Sequence, residues 1–317
     1  MYNVCRGTAV PARAGDTDDQ DPFRGGAFTE ASAARRFFGL RTTSRHAIYS
    51  EDRMPELPHI EVFRRHLDAT FLEKTIAEVE VRDDDLVKGV SPAEFARRLE
   101  GDRFVGSRRH GKYIFAGTGG GPWVLFHFGM SGFLSWFEDP DRETDYPKVL
   151  WHFEDDGVLI FDCMRKLGQV RLVEDPDDWI SEKGLGPDAL SEGFDRTAFR
   201  EALSGRRGYL KSALMNQEIM AGVGNEFSDE ILFQRKLHPK TKVKALSEKE
   251  LEAVHDTLTH VMETAISARM ETENLPGRFL LPHRDEGAEC PRCGGEIRRI
   301  EVSGRGSYFC PECQGEE

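Results

Sequence analysis

The sequence contains no long apolar run, and this absence excludes one class of protein. No stretch approaches the roughly 18 consecutive apolar residues that a membrane span needs. Residues 1–53 also lack the apolar core of a secretory signal. We therefore expect a cytoplasmic protein with no membrane partner. At 317 residues, the chain is long enough for two or three domains with cores of their own.

Positive charge is scarce as well. The chain has 43 Lys and Arg against 56 Asp and Glu, which gives a formal net charge of −13. Because phosphate binding requires Lys and Arg, this balance counts against a nucleic-acid enzyme. The charge of a whole chain does not decide the charge of one cleft, however, so a basic cleft within an acidic surface stays open.

Cysteines are few and unevenly placed, which argues against a disulfide framework. Four of the six form two C-x₂-C pairs, and 16 residues separate the pairs. Such spacing brings four thiolates to the corners of a tetrahedron, which suits Zn²⁺. Four protein ligands leave no position for water, so the sequence predicts one structural zinc ion. Its ligands are Cys290, Cys293, Cys310 and Cys313.

The residues between the two cysteine pairs are typical of a β-hairpin. Ile297–Val302 and Tyr308–Phe309 are its predicted arms, and Gly304-Arg305-Gly306 is its predicted tip. Arg305 is then either an exposed turn residue or a contact to a phosphate or a base.

The first half of the chain predicts a β-sandwich after an N-terminal extension. Residues 1–53 show no helical or strand period, which indicates a disordered or mis-assigned extension. Apolar residues then recur at helical spacing after Pro58, Ile76–Arg82 alternates like a strand, and Ser91 with Glu94 forms a capping box. The short apolar runs that predict further strands are Tyr113–Ala116, Trp123–Phe128, Val149–Phe153, Val158–Phe161 and Val170–Val173.

The second half is helical. Asp175–Asp178 marks the start of a predicted linker, and residues 187–272 have the pattern of helices. Asp195 is a candidate helix cap, and Ser247 with Glu250 forms a second capping box. A helix over Gly208–Gln217 and a second one capped by Asn225 would make a helix–turn–helix unit. The exposed amides at such a helix start bind phosphate well.

Pro55 and Glu56 form a compact catalytic unit only if the proline amine is free. A free proline nitrogen is a secondary amine that can attack a sugar C1′ and form an iminium. The chemistry therefore requires Pro55 to be the first residue of the mature chain. As the sequence is written, 54 residues precede it.

Together these features resemble the formamidopyrimidine-DNA glycosylase and endonuclease VIII family of DNA repair enzymes. The resemblance runs from Met54 to Gln314. The motifs that carry it are Met54-Pro-Glu-Leu-Pro58, Arg109-His-Gly-Lys-Tyr113, His127-Phe-Gly-Met-Ser-Gly132, Ala221-Gly-Val-Gly-Asn225, Ser228-Asp-Glu-Ile-Leu-Phe233 and the cysteine pairs. The implied fold is α+β and multidomain. It comprises a catalytic β-sandwich domain at 54–178, a helix–two-turns–helix domain at 179–282 and a zinc finger at 283–317, after the extension at 1–53.

The resemblance also implies catalytic roles. Pro55 would be the nucleophile that forms the Schiff base; an α-amine has a pKa of about 7.7–8.0, so part of it is neutral at physiological pH. Glu56 would be the general acid and base that protonates the sugar oxygen. Lys112 would contact phosphate and assist elimination, and Arg305 would bind the phosphates that flank the lesion and aid the second elimination.

Further residues match DNA-contacting positions of the family. The matches to phosphate-binding or basic positions are Asn225, Lys211 and Arg206. A damaged base must leave the stack, and side chains then fill the gap. Met130 and Arg165 match two such residues of the guanine-repairing branch. Leu167 stands where that branch has Phe, in a segment with one extra residue. His59 also departs from the family, which usually has an acidic residue there.

The resemblance predicts a bifunctional DNA glycosylase and AP lyase that removes bases of the formamidopyrimidine and 8-oxoguanine type and cleaves the strand by β,δ-elimination. The expected partner is double-stranded DNA with damaged bases or abasic sites, bound by a monomer.

One alternative is an endonuclease VIII-like enzyme for oxidised pyrimidines or abasic sites, which Leu167 favours. A second is a non-catalytic lesion-binding protein, if Pro55 stays in a peptide bond. A third is a zinc-ribbon DNA-binding factor without enzyme ancestry.

Overall fold

The computed structural model describes residues 54–155 and 157–316, so the predicted extension at 1–53 lies outside the described residues. The helices are α1 Leu57–Phe71, α2 Pro92–Leu99, α3 Pro176–Lys183, α4 Arg196–Leu203, α5 Leu210–Leu214, α6 Asn225–Gln234, α7 Glu248–Ser267 and α8 Pro311–Gln314. The strands are β1 Ile76–Val81, β2 Val87–Lys88, β3 Phe104–His110, β4 Tyr113–Thr118, β5 Trp123–His127, β6 Gly132–Phe137, β7 Pro147–Phe153, β8 Val158–Cys163, β9 Gln169–Val173, β10 Arg298–Val302 and β11 Arg305–Phe309. Short 3₁₀ turns cover Asp84–Leu86, Val243–Ala245, Thr272–Asn274 and Leu281–His283.

Two sheets form the first lobe. Strands β1, β7, β8 and β6 make one sheet in that order, and β2, β9, β5, β4 and β3 make the other. The pairing is antiparallel except for β2, which runs parallel to β9. Phe126 of the second sheet packs on Trp151 and Phe161 of the first, with ring centroids 5.5 and 6.3 Å apart. The predicted β-sandwich is confirmed.

Helix α3 covers the outer face of the five-stranded sheet. Trp179 packs there on Phe115, with ring centroids 5.8 Å apart, and Leu125 is buried beside them. The strands are therefore covered on both faces, which explains their continuous apolar runs. The predicted linker at Asp175 is wrong. The Asp175 carboxylate accepts the amide of Asp177 at 2.7 Å and begins α3.

Helix α1 belongs to two cores. Ile60 and Phe63 pack among the side chains of the sandwich, whereas Leu57 and Val62 pack among those of the helical lobe. Residues on opposite sides of one helix turn are thus buried against different lobes. This shared helix begins directly after Glu56, so the fold fixes Glu56 at the junction of the two lobes.

The helical lobe is built from α4 to α7 around a core of their apolar faces. The helix predicted over Gly208–Gln217 is shorter and covers only Leu210–Leu214. Asn216 explains its end, because its side-chain oxygen accepts the amide of Glu218 at 2.9 Å and turns the chain. In the part of the chain that the structure describes, no helix has the length and apolarity to cross a membrane.

The helix caps agree in part with the sequence. Asp195 caps α4 with its carboxylate, and Ser247 and Glu250 form the predicted reciprocal capping box of α7. The Ser91 hydroxyl accepts the amide of Glu94 at 3.2 Å. The Glu94 carboxylate instead pairs with an arginine one turn further on, so this capping box is only half formed.

The C-terminal module is a hairpin docked on α6. Strands β10 and β11 pair from Val302 and Arg305 outward. The turn is Ser303–Gly304, where both residues have positive φ values, of 51° and 75°, as a tight hairpin requires. The predicted tip at Gly304-Arg305-Gly306 therefore lies too far along the chain, because Arg305 is already the first residue of β11. Phe233 of α6 is buried against this module.

A buried ion-pair network joins the lobes. Arg109 of β3 pairs with Glu61 of α1 at 3.1 Å and with Asp188 of the helical lobe. Burial by itself would raise the pKa of Glu61, but hydrogen bonds and charges from arginines, Arg64 first, lower it to about 2. Asp188 also accepts the amide of Gly111 at 2.6 Å. The network thus fixes the β3–β4 turn against the helical lobe.

We predict that Arg109→Met destabilises the protein by about 3–5 kcal/mol, because it leaves the Asp188 carboxylate buried without its cation. Arg108→Met is the matched control. Its partner Asp177 is 74% exposed, so the expected loss is about 0–1 kcal/mol. Chemical denaturation measures both free energies of unfolding, and equal effects would contradict the role assigned to Arg109.

Candidate functional site

The Glu56 carboxylate binds the start of α6. It accepts the amides of Gly224 at 2.7 Å, Glu226 at 2.8 Å and Phe227 at 3.3 Å. The first amides of a helix have no partner within the helix, and the helix dipole favours an anion there. The predicted anion site therefore exists, but the chain's own buried carboxylate fills it.

Asn225 has a different place from the predicted one. Gly224 is the N-cap, and Asn225 is the first residue of α6. The side-chain Nδ2 atom of Asn225 donates to the carbonyl of Gly306, the residue after Arg305, at 3.0 Å. The Asn225 side-chain oxygen is buried and has no hydrogen-bond partner among the described residues. Asn225 thus ties the helix start to the hairpin, because Glu56 does the capping.

Gly224 is required by the close packing at this helix start. A Cβ atom there would collide with the Glu56 carboxyl group and lie 2.7 Å from the Lys112 Nζ atom. Any larger residue would push the carboxylate off the amides. The lack of a side chain at Gly224 therefore leaves space for both the Glu56 carboxyl group and the Lys112 Nζ atom at the helix start.

Lys112 lies in the turn between β3 and β4 and faces Glu56. Removal from water lowers the pKa of the Lys112 ammonium; the Glu56 charge opposes this effect and the Arg305 charge adds to it. Glu56 and Arg305 therefore both act electrostatically on Lys112, although the three residues come from three parts of the chain. Pro55 is buried beside Glu56. All four predicted catalytic residues are thus near the junction of the two lobes and the hairpin.

Lys211 is buried rather than exposed on the surface. It is 1% exposed, and its ammonium pairs with the Asp229 carboxylate and donates to the carbonyl of Asn225 at 3.3 Å. Burial lowers the pKa of Lys211, and Asp229 opposes this effect. Lys211 is thus a buried partner of Asp229, and its predicted contact to DNA stays a prediction.

Asp229 is the residue that sequence reasoning missed. Its carboxylate also accepts Nε and Nη2 of Arg284 at 3.0 and 2.9 Å, and the amide of Tyr308 at 3.2 Å. The Arg284 guanidinium lies 4.5 Å from the centre of the Tyr308 ring. Asp229 thus joins α5, the segment before the finger, and β11. No local pattern reveals it, since these partners are distant in sequence.

The predicted gap-filling residues lie on two adjacent loops. Met130 is 37% exposed between β5 and β6, and Leu167 is 56% exposed between β8 and β9. The amide of Arg165 donates to the Ser131 hydroxyl at 2.9 Å and joins the two loops. The fold therefore presents two apolar side chains and an arginine from one loop pair.

Arg206 lies apart from this cluster. It is exposed after α4, where its Nε donates to the carbonyl of Ala202 at 2.8 Å. No contact recorded for the described residues links it to Glu56, Lys112 or Arg305. Its predicted role in DNA binding stays a prediction.

The four clustered cysteines fit a tetrahedral metal ion. Their Sγ atoms all lie within 4.8 Å of one another, and none forms a disulfide. The Cys290–Cys313 and Cys293–Cys310 sulfur atoms are 3.9 and 3.5 Å apart. Zinc–sulfur bonds of about 2.3 Å in a tetrahedron put the sulfurs roughly 3.8 Å apart, so the donor set and spacing suit Zn²⁺.

Three family models match most of the described chain. Residues 54–170 match the formamidopyrimidine-DNA glycosylase N-terminal domain. Residues 185–275 match the formamidopyrimidine-DNA glycosylase H2TH domain. Residues 287–315 match the zinc finger found in FPG and IleRS. The first match begins at Met54 and therefore leaves out the residues before it.

Individual relatives give the same result. The formamidopyrimidine-DNA glycosylase of Streptococcus pneumoniae is 32% identical over 274 residues, which cover 82% of this chain and 99% of the relative. The structure of Lactococcus lactis formamidopyrimidine-DNA glycosylase, bound to DNA with an AP site, has a TM-score of 0.73 at 29% identity and covers 83% of this chain and 100% of its own. A structure of MutM with DNA containing carbocyclic 8-oxo-G has the same TM-score, identity and coverage.

We predict that Asp229→Asn destabilises the protein by about 3–5 kcal/mol, because two cations lose their counter-charge in a buried place. Adding Lys211→Met should recover part of this loss, since one uncompensated charge is then gone. Chemical denaturation of both single variants and the double variant measures the coupling. Strictly additive effects would contradict the proposed pairing.

Proposed function

The chain belongs to the formamidopyrimidine-DNA glycosylase family, and we propose that it is a bifunctional DNA glycosylase and AP lyase of base excision repair. The observation that carries the proposal is the buried Glu56 carboxylate at the start of α6, with Pro55 beside it and with Lys112, on which both Glu56 and Arg305 act, facing it. The relatives' names and DNA complexes support the substrate class. We propose lesions of the formamidopyrimidine and 8-oxoguanine type.

The reaction requires Pro55 to be the N-terminal residue. The free amine attacks C1′ of the damaged nucleotide, the glycosidic bond breaks, and the base leaves with its bonding electrons and a proton. Glu56 protonates the sugar ring oxygen as the ring opens, which leaves an iminium between Pro55 and C1′. The match to nearly the full length of the relatives by residues from Met54 onward supports a working chain that lacks the extension.

Strand cleavage follows by two eliminations. Loss of a C2′ proton expels the 3′ phosphate, and loss of a second proton expels the 5′ phosphate. Lys112 would contact phosphate and assist elimination, and removal from water favours its neutral form, which can accept a proton. Arg305 carries a fixed charge for the flanking phosphates. Met130, Arg165 and Leu167 fill the gap left by the extruded nucleotide, and Asn225 holds the hairpin that carries Arg305.

We also propose one structural Zn²⁺ ion, bound by Cys290, Cys293, Cys310 and Cys313. The ion would hold the finger's two cysteine pairs together. The finger in turn packs on α6 through Phe233, Leu280 and Ile297. Zinc would therefore position Arg305 without taking part in the reaction.

The leading prediction concerns the nucleophile. Protein expressed from Met54, with its methionine removed, should form a covalent adduct with abasic-site DNA when borohydride is added. Pro55→Gly and Glu56→Gln should each abolish base excision, with Glu56→Gln lowering its rate by about 10²–10⁴-fold. Pro58→Ala is the matched control, because Pro58 lies within α1 and should leave trapping unchanged.

Protein expressed from Met1 separates the alternatives. If it forms the adduct equally well with an intact N-terminus, Pro55 is not the nucleophile. If neither protein forms an adduct yet both bind abasic-site DNA, the chain is a lesion-binding protein without catalysis. Mass spectrometry of the N-terminus defines which protein was tested.

Arg305→Ala should lower the second elimination at least about tenfold and leave base excision largely intact, because a fixed cation at the leaving phosphate is lost. Cleaved strands would then end in the unsaturated aldehyde rather than in 3′ phosphate, which a denaturing gel resolves. Arg298→Ala, which removes an exposed pair with Glu316, is the control and should leave the product ratio unchanged. An unchanged ratio for Arg305→Ala would remove Arg305 from the mechanism.

A further inference from the structure

His59 completes the start of α1 directly beneath the proposed nucleophile. Its Nδ1 atom accepts the amide of Glu56 at 3.1 Å. The ring is 3% exposed and meets the Phe227 ring edge-on, with centroids 6.1 Å apart. His59 is therefore held between two helix starts, those of α1 and α6.

The hydrogen bond requires a neutral His59 ring. An acceptor at Nδ1 carries no proton there, so the single ring proton lies on Nε2. The third residue of a helix that accepts the capping residue's amide is ordinarily Glu or Gln. Glu would bring a negative charge to this position, whereas His59 makes the same hydrogen bond without one.

The position matters because it is close to the Pro55 nitrogen. Glu56 N is bonded to the carbonyl carbon of Pro55, so covalent geometry puts the Pro55 nitrogen within about 4 Å of Glu56 N. The His59 acceptor, 3.1 Å from Glu56 N, is then within about 7 Å of the amine. A carboxylate at that distance would stabilise the protonated amine and raise its pKa by on the order of one unit.

Other charges face the same point from neighbouring elements. Lys112 of the β3–β4 turn and Lys211 of α5 both interact with Glu56, and Arg305 of β11 interacts with Lys112. The Glu226 carboxylate of α6 is 3.9 Å from Arg284. His127 of β5 is buried near Lys112, and burial lowers its pKa to about 4. Glu56 is thus the carboxylate next to the Pro55 amine. A second carboxylate at position 59 would stabilise the protonated amine further.

We propose that His59 is a positioning residue that completes the start of α1 with an uncharged acceptor and so leaves a larger fraction of the Pro55 amine unprotonated, and hence nucleophilic, near neutral pH than a carboxylate at this position would. This inference rests on the proposed function, because it requires Pro55 as a free N-terminal amine. It makes the histidine a determinant of the pH range in which the Schiff base forms.

The test is the pH profile of adduct formation. Protein that begins at Pro55 is reacted with abasic-site DNA and cyanoborohydride from pH 6.5 to 9 at constant ionic strength, as wild type, His59→Gln and His59→Glu. His59→Gln is the matched control, because it keeps an uncharged acceptor. We expect it to retain the wild-type midpoint. His59→Glu should raise the midpoint by about one pH unit, form adduct about tenfold more slowly at pH 6.5, and match wild type at high pH.

The outcomes separate two failures. Equal midpoints for wild type and His59→Glu, or an equal shift in His59→Gln, overturn the role of His59 while the proposed function stands. No adduct from wild type at any pH overturns the proposed function, and the role of His59 with it. Titration of the Pro55 amine by NMR of ¹⁵N-proline-labelled protein measures the same shift without catalysis, and thermal unfolding confirms that the variants are folded.

Discussion

The structure depends on one interaction, the Glu56 carboxylate bound to the first amides of α6. The hydrogen bonds join residues about 170 apart in sequence and connect the two lobes at a single buried point. The first amides of the helix have no partner within it, and a buried carboxylate requires hydrogen-bond donors. Each group therefore satisfies the hydrogen bonding of the other. The interaction places Glu56 at the junction of the two lobes and occupies the helix start that another anion could otherwise bind.

Helix α6 also fixes the position of the C-terminal hairpin. Asp229, one turn beyond Asn225, binds Lys211, Arg284 and the backbone of β11. Asn225 adds a bond to the carbonyl next to Arg305. The Glu56 carboxylate and the hairpin that carries Arg305 are therefore held by one short helix. This pairing explains why Lys211, which the sequence predicts as a DNA contact, is buried: its charge balances that of Asp229.

Much of the fold could be predicted from the sequence, and the failures have a common cause. The strands follow from their apolar runs, and the metal site from two local cysteine pairs, because both signals lie within a few residues. Asn225 was expected to cap α6 and Asp175 to begin a linker, since both residue types also occur in those roles. Which role applies depends on packing elsewhere in the chain: Glu56 binds the start of α6 in place of an Asn225 cap, and Asp175 begins a helix whose Trp179 packs on Phe115 of the sheet.

The sequence by itself determined the chemistry available to this protein: a proline next to a glutamate, two cysteine pairs, and a glycine-rich turn before a helix. It also showed that a histidine stands at position 59, where the family usually has an acidic residue, since residue type is read directly. Only the tertiary structure decided which groups meet. It paired Glu56 with α6 and Lys211 with Asp229, because burial and hydrogen bonding depend on distances that local spacing does not encode.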